Sequence, residues 1–266
     1  MESLIETIIL GTIQGLTEWL PISSTGHLRL AEHFLGLTVP ILFDVLLHIG
    51  TLTVVLFFFR KDIMRIFSAL ARLEFNTEHG RMVPLIIVGT MPTAFIGLLF
   101  FEFKLMENVF QNILPVAIAF FFCGIILYSA KAGKERTDKI SYSTAIMIGV
   151  AQGVSIIPGI SRSGATIATA LLLGIKREKA FQFSFLLSVP AILGALGLTV
   201  YTQFDELVST GLGGVEVFAG AMVAMFVGYL ALKLLWKILA KKKFHVFGFY
   251  CFLLSAVLIT LGLSGF

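Results

Sequence analysis

Long apolar stretches constrain this chain more than any other feature of its sequence. An α-helix needs ~20 consecutive, mainly apolar residues to cross a bilayer. Six stretches come close to that length, near 41–59, 83–101, 113–130, 180–200, 217–236 and 246–264. Only 14% of the residues are charged, against about 25% in a typical soluble domain. The sequence therefore predicts an all-α integral membrane protein with six transmembrane helices.

Two further apolar regions, residues 3–36 and 143–175, are interrupted by polar residues and do not suit simple spans. Each consists of a short apolar segment, a loop rich in glycine and serine, and a second short apolar segment. Such half-length segments favour re-entrant hairpins, whose loops reach membrane depth only where protein or water satisfies the backbone. We therefore expect two re-entrant helix hairpins in addition to the six spans.

The two interrupted regions also resemble each other. When Gln14 is aligned with Gln152, the glycines and serines of the two loops coincide. The matched pairs are Gly15 with Gly153, Ser23 with Ser161, and Gly26 with Gly164. We interpret this as an internal duplication within a single membrane domain covering 1–266, with one repeat at about 1–110 and the other at about 140–266.

The basic residues predict how the chain is threaded. Seventeen of the twenty lysines and arginines lie in or beside the connections 60–82, 131–142, 176–179 and 237–245, which the positive-inside rule assigns to the cytoplasm. The first hairpin then enters from outside and the second from inside, which is an inverted-topology repeat whose broken helices meet near the midplane. The net charge of +4 reflects these cytoplasmic lysines and arginines and does not indicate a nucleic-acid partner.

Polar side chains at membrane depth are costly, so their positions indicate a functional site. Gln14 and Glu18 lie four residues apart and share a helix face, and the loop ending at His27 follows directly. A serine beside an acid or an imidazole is a candidate nucleophile, and His27 could carry a proton at neutral pH. The alternative is a hydrogen-bonded hairpin loop in which Ser23 or Thr25 caps a half-helix.

The second loop, from Pro158 to Thr166, has the character of an anion site. Its glycines, hydroxyls and following helix N-terminus suit phosphate oxygens, and Arg162 adds a planar guanidinium for bidentate contact. A phosphorylated ligand is the favoured partner of this buried arginine, with a structural ion pair to Glu18 as the alternative. Asp44 and His48 either support the site or form an ordinary interhelical hydrogen bond.

The two loops resemble the signatures of a known family. The run from Gln14 through Glu18 to His27 resembles the first signature of the undecaprenyl-diphosphate phosphatases, the bacitracin-resistance family, and Pro158 to Thr166 resembles the second. The resemblance extends over nearly the whole chain. It implies hydrolysis of a long-chain polyprenyl diphosphate to the monophosphate and inorganic phosphate, which recycles the lipid carrier of surface-glycan synthesis.

The resemblance also implies roles for individual residues. Glu18 would bind a divalent cation (Mg²⁺ or Ca²⁺) or act as base, with Gln14 as the second cation ligand. Ser24, His27 or water would be the nucleophile, and Arg162 would complete the catalytic group. The residues implied to hold the diphosphate are Ser23, Thr25, Gly26, Ser161, Ser163, Gly164 and Thr166. Gln14 stands where many members have glutamate, which lowers the negative charge available to a cation.

The resemblance implies a multi-pass protein of the plasma membrane, and the distribution of basic residues predicts that its active site faces the extracytoplasmic side. Its partners would be the polyprenyl diphosphate substrate and membrane lipids, and a homodimer is left open. The type-2 phosphatidic-acid phosphatases are excluded because Ala168 stands where their motif needs a histidine. A polyprenyl-phosphate flippase or another transporter is the remaining alternative, since inverted repeats are common in transporters and fold alone does not define function.

Overall fold

The computed structural model describes residues 4–36, 41–103, 109, 112–204 and 214–263. Regular structure in these ranges is helical, apart from one isolated bridge between Thr137 and Ile175. The helices are α1 (Leu4–Trp19), α2 (Ser24–Leu35), α3 (Ile41–Phe58), α4 (Arg60–Ala71), α5 (Met82–Glu102), α6 (Ile113–Ser129), α7 (Tyr142–Val154), α8 (Arg162–Leu172), α9 (Arg177–Thr202), α10 (Gly214–Ala240) and α11 (Val246–Leu263), with a short 3₁₀ turn at Ala130–Ala132. The all-α prediction is confirmed.

Among the described residues, five helices are individually long and apolar enough to cross a bilayer, namely α5, α6, α9, α10 and α11. They correspond to five of the six predicted spans. The remaining span, α3, meets the same criterion only together with α4, from which a bend of 77° separates it. The protein is therefore a multi-pass helical membrane protein, whose described part has five candidate spans and one bent helix pair.

Helix α4 occupies a segment that the sequence pattern assigned to a loop. Ile63 and Ile66 pack against the core, whereas Met64 and Phe67 are exposed. The basic residue Arg65 lies on a further exposed face. A helix with one face for protein, one for lipid and one for water is suited to the membrane interface.

Both interrupted regions fold as two short helices around a break, as predicted. The break between α1 and α2 follows Trp19 and contains Pro21, which has no backbone N–H to donate. Ser23 caps α2 by accepting the N–H of Gly26, and Ser161 caps α8 in the same way. The two loops predicted to be repeats thus use the same capping interaction at matched positions.

The first arm of each hairpin packs closely on a long helix. On α1, Gly11 lies against the backbone of Gly220 on α10, where an added Cβ would be 2.6 Å from the carbonyl oxygen. On α7, a Cβ at Gly149 would overlap the carbonyl group of Gly89 on α5. Small residues permit this close approach of helix backbones within a membrane. The equivalent arms α1 and α7 therefore dock in similar ways.

The predicted basic connections gather at one end of the helix bundle, called the basic end below. Arg136 and Thr137 donate their backbone N–H groups to the carbonyl of Gly174. Lys179, at the start of α9, forms an ion pair with Glu78 from the connection before α5. Residues of the α10–α11 turn line one cavity together with residues 130–135. The four connections that carry most of the positive charge are thus neighbours in space.

Candidate active site

The breaks of the two hairpins meet inside the bundle. The Ser23 hydroxyl accepts the backbone N–H of Gly159 at 3.0 Å, and the Ser163 hydroxyl donates to the Trp19 carbonyl at 3.1 Å. Gly159 has a φ of 103°, and an added Cβ would be 2.7 Å from the Val116 carbonyl oxygen, so this position requires glycine. The expectation that the two loops lie together is confirmed.

Glu18 is the centre of the polar cluster at this junction. Its carboxylate accepts hydrogen bonds from the Gln14 amide at 3.2 Å and from the Ser24 hydroxyl at 2.5 Å. Arg162, from the opposite hairpin, donates to the other carboxylate oxygen and forms an ion pair with it. Burial leaves the Glu18 side chain only 6% exposed. An acid, a hydroxyl and an arginine predicted to act together are therefore in contact.

Arg162 retains hydrogen-bonding capacity despite this ion pair. Its Nη2 binds Glu18, but its Nη1 is buried and has no hydrogen-bond partner within the described residues. The guanidinium also lies over the Trp19 ring, 5.2 Å from the centroid, which holds its plane in place. A buried donor without an acceptor costs about 1–3 kcal/mol. The ion pair considered as an alternative is present, and it leaves one donor for an anion.

His27 is not the imidazole beside Glu18. Its Nδ1 donates to the Ser23 carbonyl at 2.8 Å, and its Nε2 lies 2.6 Å from the hydroxyl of Tyr250 on α11. The bond to Ser23 turns the ring back along α2, so that the reactive nitrogen faces α11. The neighbouring imidazole is instead His48, whose Nε2 lies 4.0 Å from Glu18 Oε2.

His48 connects the site to Asp44. Its Nδ1 donates to the backbone carbonyl of Asp44 at 2.9 Å and lies 3.4 Å from the Asp44 carboxylate. With Nδ1 as donor, Nε2 of a neutral ring is free to accept a proton on the side of Glu18. The supporting position that the sequence suggested for these two residues agrees with the geometry.

Most of the hydroxyls predicted to contact the substrate have partners within the protein. Ser161 accepts the N–H of Gly164 at 3.1 Å, and Thr166 donates to the Arg162 carbonyl at 2.8 Å. Ser161, Ser163 and Thr166 are buried, whereas Thr25 is exposed. These bonds shape the loop that presents Arg162, and the role of the hydroxyls in substrate binding stays a prediction.

Sequence reasoning missed two aromatic contributors to the site. Trp19 directly follows Glu18 and supplies both the stacking surface for Arg162 and an acceptor for Ser163. Tyr250 bonds to His27 from a position 223 residues away. An aromatic next to an intramembrane acid is a usable local signal, but no local pattern could have identified Tyr250.

The predicted cation site has oxygen donors of a suitable kind but few of them. Within the described ranges, no group of three or more His, Cys, Asp and Glu side chains could hold a metal ion. Glu18 offers carboxylate oxygens, and Gln14 Oε1 is buried and has no hydrogen-bond partner in the part of the chain that the structure describes. Magnesium is often held by one or two carboxylates together with substrate phosphates. The residues therefore fit a cation whose coordination is completed by phosphate oxygens.

This fold and site define a class, that of multi-pass membrane proteins with a buried acid–hydroxyl–arginine cluster between two broken helices. The sequence profile of the family described as bacitracin resistance protein BacA matches residues 7–257, and the chain belongs to that family. Proteins named undecaprenyl-diphosphatase from three organisms are among its relatives. The Carboxydothermus hydrogenoformans protein is 41% identical, and the alignment covers 98% of each chain. The Treponema denticola protein is 40% identical, and the alignment covers 98% of this chain and 96% of that protein. The Methanosphaera stadtmanae protein is 36% identical, and the alignment covers 98% of this chain and 99% of that protein.

Proposed function

We propose that this protein hydrolyses undecaprenyl diphosphate to undecaprenyl phosphate and inorganic phosphate. Relatives that match nearly its full length at about 40% identity bear the name of this activity. The observation that carries the proposal is the arrangement at Glu18, where a serine hydroxyl and an arginine with one unfilled donor meet on a single carboxylate. The alternative of a lipid flippase receives no support from these relatives.

The geometry favours Ser24 as the nucleophile. Its hydroxyl already donates to Glu18 Oε2 at 2.5 Å, so Glu18 is placed to take the proton as the oxygen attacks the terminal phosphorus. The bond from phosphorus to the bridging oxygen breaks, and undecaprenyl phosphate leaves. Glu18 passes its proton to the departing phosphate and is again a carboxylate. It then takes a proton from water as the water attacks the phosphoserine phosphorus, and returns that proton to the Ser24 oxygen as the bond from phosphorus to Ser24 breaks and inorganic phosphate leaves. His27 Nε2 is engaged by Tyr250 and is less available for attack.

Arg162 serves as the principal protein cation of the site. Its free Nη1 would bind a terminal phosphate oxygen and stabilise the charge that develops during transfer. A divalent cation held by Glu18, Gln14 and substrate oxygens would neutralise further charge on the diphosphate. Trp19 limits the movement of the guanidinium and so keeps the donor aimed at one place.

The finer architecture proposed here is six spans with two re-entrant hairpins in an inverted-topology repeat. Three features support it, namely the matched serine caps, the docking of α1 on α10, and the docking of α7 on α5. The Gly11–Gly220 and Gly15–Ala224 contacts show α1 and α10 running in the same direction. Since α10 ends at the basic end, α1 begins at the opposite end.

This direction supports an extracytoplasmic active site in the plasma membrane. If the basic end is cytoplasmic, the first hairpin enters from outside and carries Glu18 and Ser24 to the junction. A carrier lipid left outside after glycan transfer would then reach the site without moving its charged diphosphate across ~30 Å of hydrocarbon.

Phosphate release by the purified protein tests the proposed function. Undecaprenyl diphosphate should yield undecaprenyl phosphate and inorganic phosphate in equal amounts, with turnover that requires no second membrane compartment. A transporter needs no hydrolysis and would leave the substrate intact in detergent. Intact substrate after incubation with folded protein and Mg²⁺ would therefore reject the phosphatase function.

A further inference from the structure

A cavity of about 460 Å³ lies at the basic end, apart from the Glu18 site. It forms where the segment after α6, the end of α8, the start of α9 and the α10–α11 turn converge. Leu171 belongs to its wall and follows Arg162 by nine residues on α8, roughly 13 Å along the helix axis. The cavity shares no lining residue with the proposed catalytic cluster.

Positive charge dominates the wall of this cavity. Its ionisable lining residues are Lys131, Lys134, Glu135, Arg177, Lys242 and His245. Glu135 is already paired with Arg177. No ion pair involves any of the three lysines within the described part of the chain. Three ammonium groups around one concave space repel each other, so an anion bound between them would be stabilised.

Arg177 adds a directional donor to this charge. Its Nη1 binds Glu135, while its Nε is buried and has no hydrogen-bond partner among the described residues. The side chain is only 15% exposed, which limits its hydration. An arginine with a free donor is well suited to tetrahedral oxyanions such as phosphate. Arg177 therefore favours phosphate over a simple halide.

The size of the cavity indicates more than a bare ion. Small-molecule sites commonly measure about 300–1,000 Å³, and this cavity falls within that range. Its wall also contains the apolar residues Leu171 and Phe244. Basic pockets between transmembrane helices on the cytoplasmic side are known to take anionic lipid headgroups.

We propose that this cavity binds a phosphate group at the basic end of the protein. The phosphate belongs either to the headgroup of an anionic phospholipid or to free inorganic phosphate. Both present the same oxygens to Lys131, Lys242 and Arg177. This proposal does not depend on the reaction at Glu18.

The test compares two double variants with the same change in charge. Lys131→Gln with Lys242→Gln removes two lining cations, whereas Lys241→Gln with Lys243→Gln removes two exposed cations that do not line the cavity. Each protein is placed in nanodiscs of phosphatidylcholine. The Tm is measured after adding inorganic phosphate, and separately with phosphatidylglycerol included, because a ligand bound to the folded state raises Tm.

The wild type and the control variant should gain Tm from phosphatidylglycerol, from inorganic phosphate or from both. The cavity variant should lose most of that gain and bind at least 10-fold more weakly, while keeping its phosphatase activity in phosphatidylcholine. A gain from phosphatidylglycerol alone identifies a lipid headgroup, and a gain from phosphate alone identifies the free ion. Lys131→Arg with Lys242→Arg should restore the response. Equal responses of the cavity and control variants, or no response in the wild type, would overturn the proposal.

Discussion

The pair formed by Glu18 and Arg162 shows how much of this site depends on single residues. Two charges taken from water must find excellent geometry to offset the loss of hydration. Here Gln14 and Ser24 donate to the carboxylate, and Trp19 stacks against the guanidinium. The pair is thus supported from both sides, and two of the supports, Gln14 and Ser24, are also candidate participants in the reaction.

Arg162→Lys tests whether the shape of the guanidinium matters in addition to its charge. Lysine keeps the positive charge but has no planar fork to bind Glu18 and a phosphate oxygen together. We expect kcat/KM for phosphate release to fall by ~10²-fold or more, as for the loss of one oxyanion donor. Arg65→Lys, on the exposed face of α4, should change nothing. If the Arg162 variant keeps a near-normal kcat/KM, only the positive charge of this residue matters and the shape of the guanidinium does not.

Gln14→Glu tests the proposed cation site. A second carboxylate beside Glu18 strengthens attraction for a divalent cation. The Mg²⁺ concentration for half-maximal phosphate release should therefore fall several-fold, and EDTA should abolish release by both proteins. Full activity of the wild type after thorough chelation would remove the cation from the mechanism.

Sequence reasoning at the residue scale located the acid, the hydroxyl and the arginine but not every orientation. The clustering of Glu18, Ser24 and Arg162 was predictable because polar side chains at membrane depth are stabilised by pairing with one another. The direction of His27 was not predictable, since the ring is held by the Ser23 carbonyl on one side and by Tyr250 on the last helix on the other. Long-range partners of this kind leave no local pattern in the chain.

At the scale of elements, interrupted apolar segments were more informative than uninterrupted ones. The proline and the serine–glycine runs predicted the break in each interrupted region, and the Ser23 cap was one of the two interpretations of the first loop, whereas the Ser161 cap was not predicted. Helix α4 was predicted to be a loop because the segment contains several basic residues, and the helical spacing of its apolar residues was overlooked. Ile63 and Ile66 on one face of α4 do carry the helical spacing. The 77° bend between α3 and α4 was not predicted from the sequence.

Gly11→Ala tests the docking of the first hairpin on α10. The new Cβ would lie 2.6 Å from the Gly220 carbonyl oxygen, where backbone must move to accommodate it. We expect a loss of roughly 1–3 kcal/mol in stability, as for other overpacked sites, and a lower Tm in detergent. Gly197→Ala on α9 meets nothing within 4 Å and should keep or raise Tm. An unchanged Tm in the Gly11 variant would mean that α1 does not pack on α10 this closely.

At the scale of the whole molecule, the membrane topology decides from which side of the membrane the active site is accessible. Single cysteines at Tyr201 and Lys242 report the two ends in a background lacking Cys123 and Cys251. Tyr201 is 85% exposed near the end of α9, and Lys242 lies in the turn at the basic end. A membrane-impermeant maleimide applied to intact cells should label position 201 and spare position 242. The reverse pattern would invert the topology and place the first hairpin on the cytoplasmic side.

The most direct test of the whole account is phosphoryl transfer through Ser24. Undecaprenyl diphosphate labelled in its terminal phosphate is mixed with enzyme and quenched within one turnover. The wild type and Ser68→Ala, an exposed serine on α4, should acquire label on Ser24 before free phosphate appears. Ser24→Ala should form no adduct and release phosphate roughly 10³-fold more slowly or worse. Phosphate release by the Ser24 variant at the wild-type rate would contradict the account.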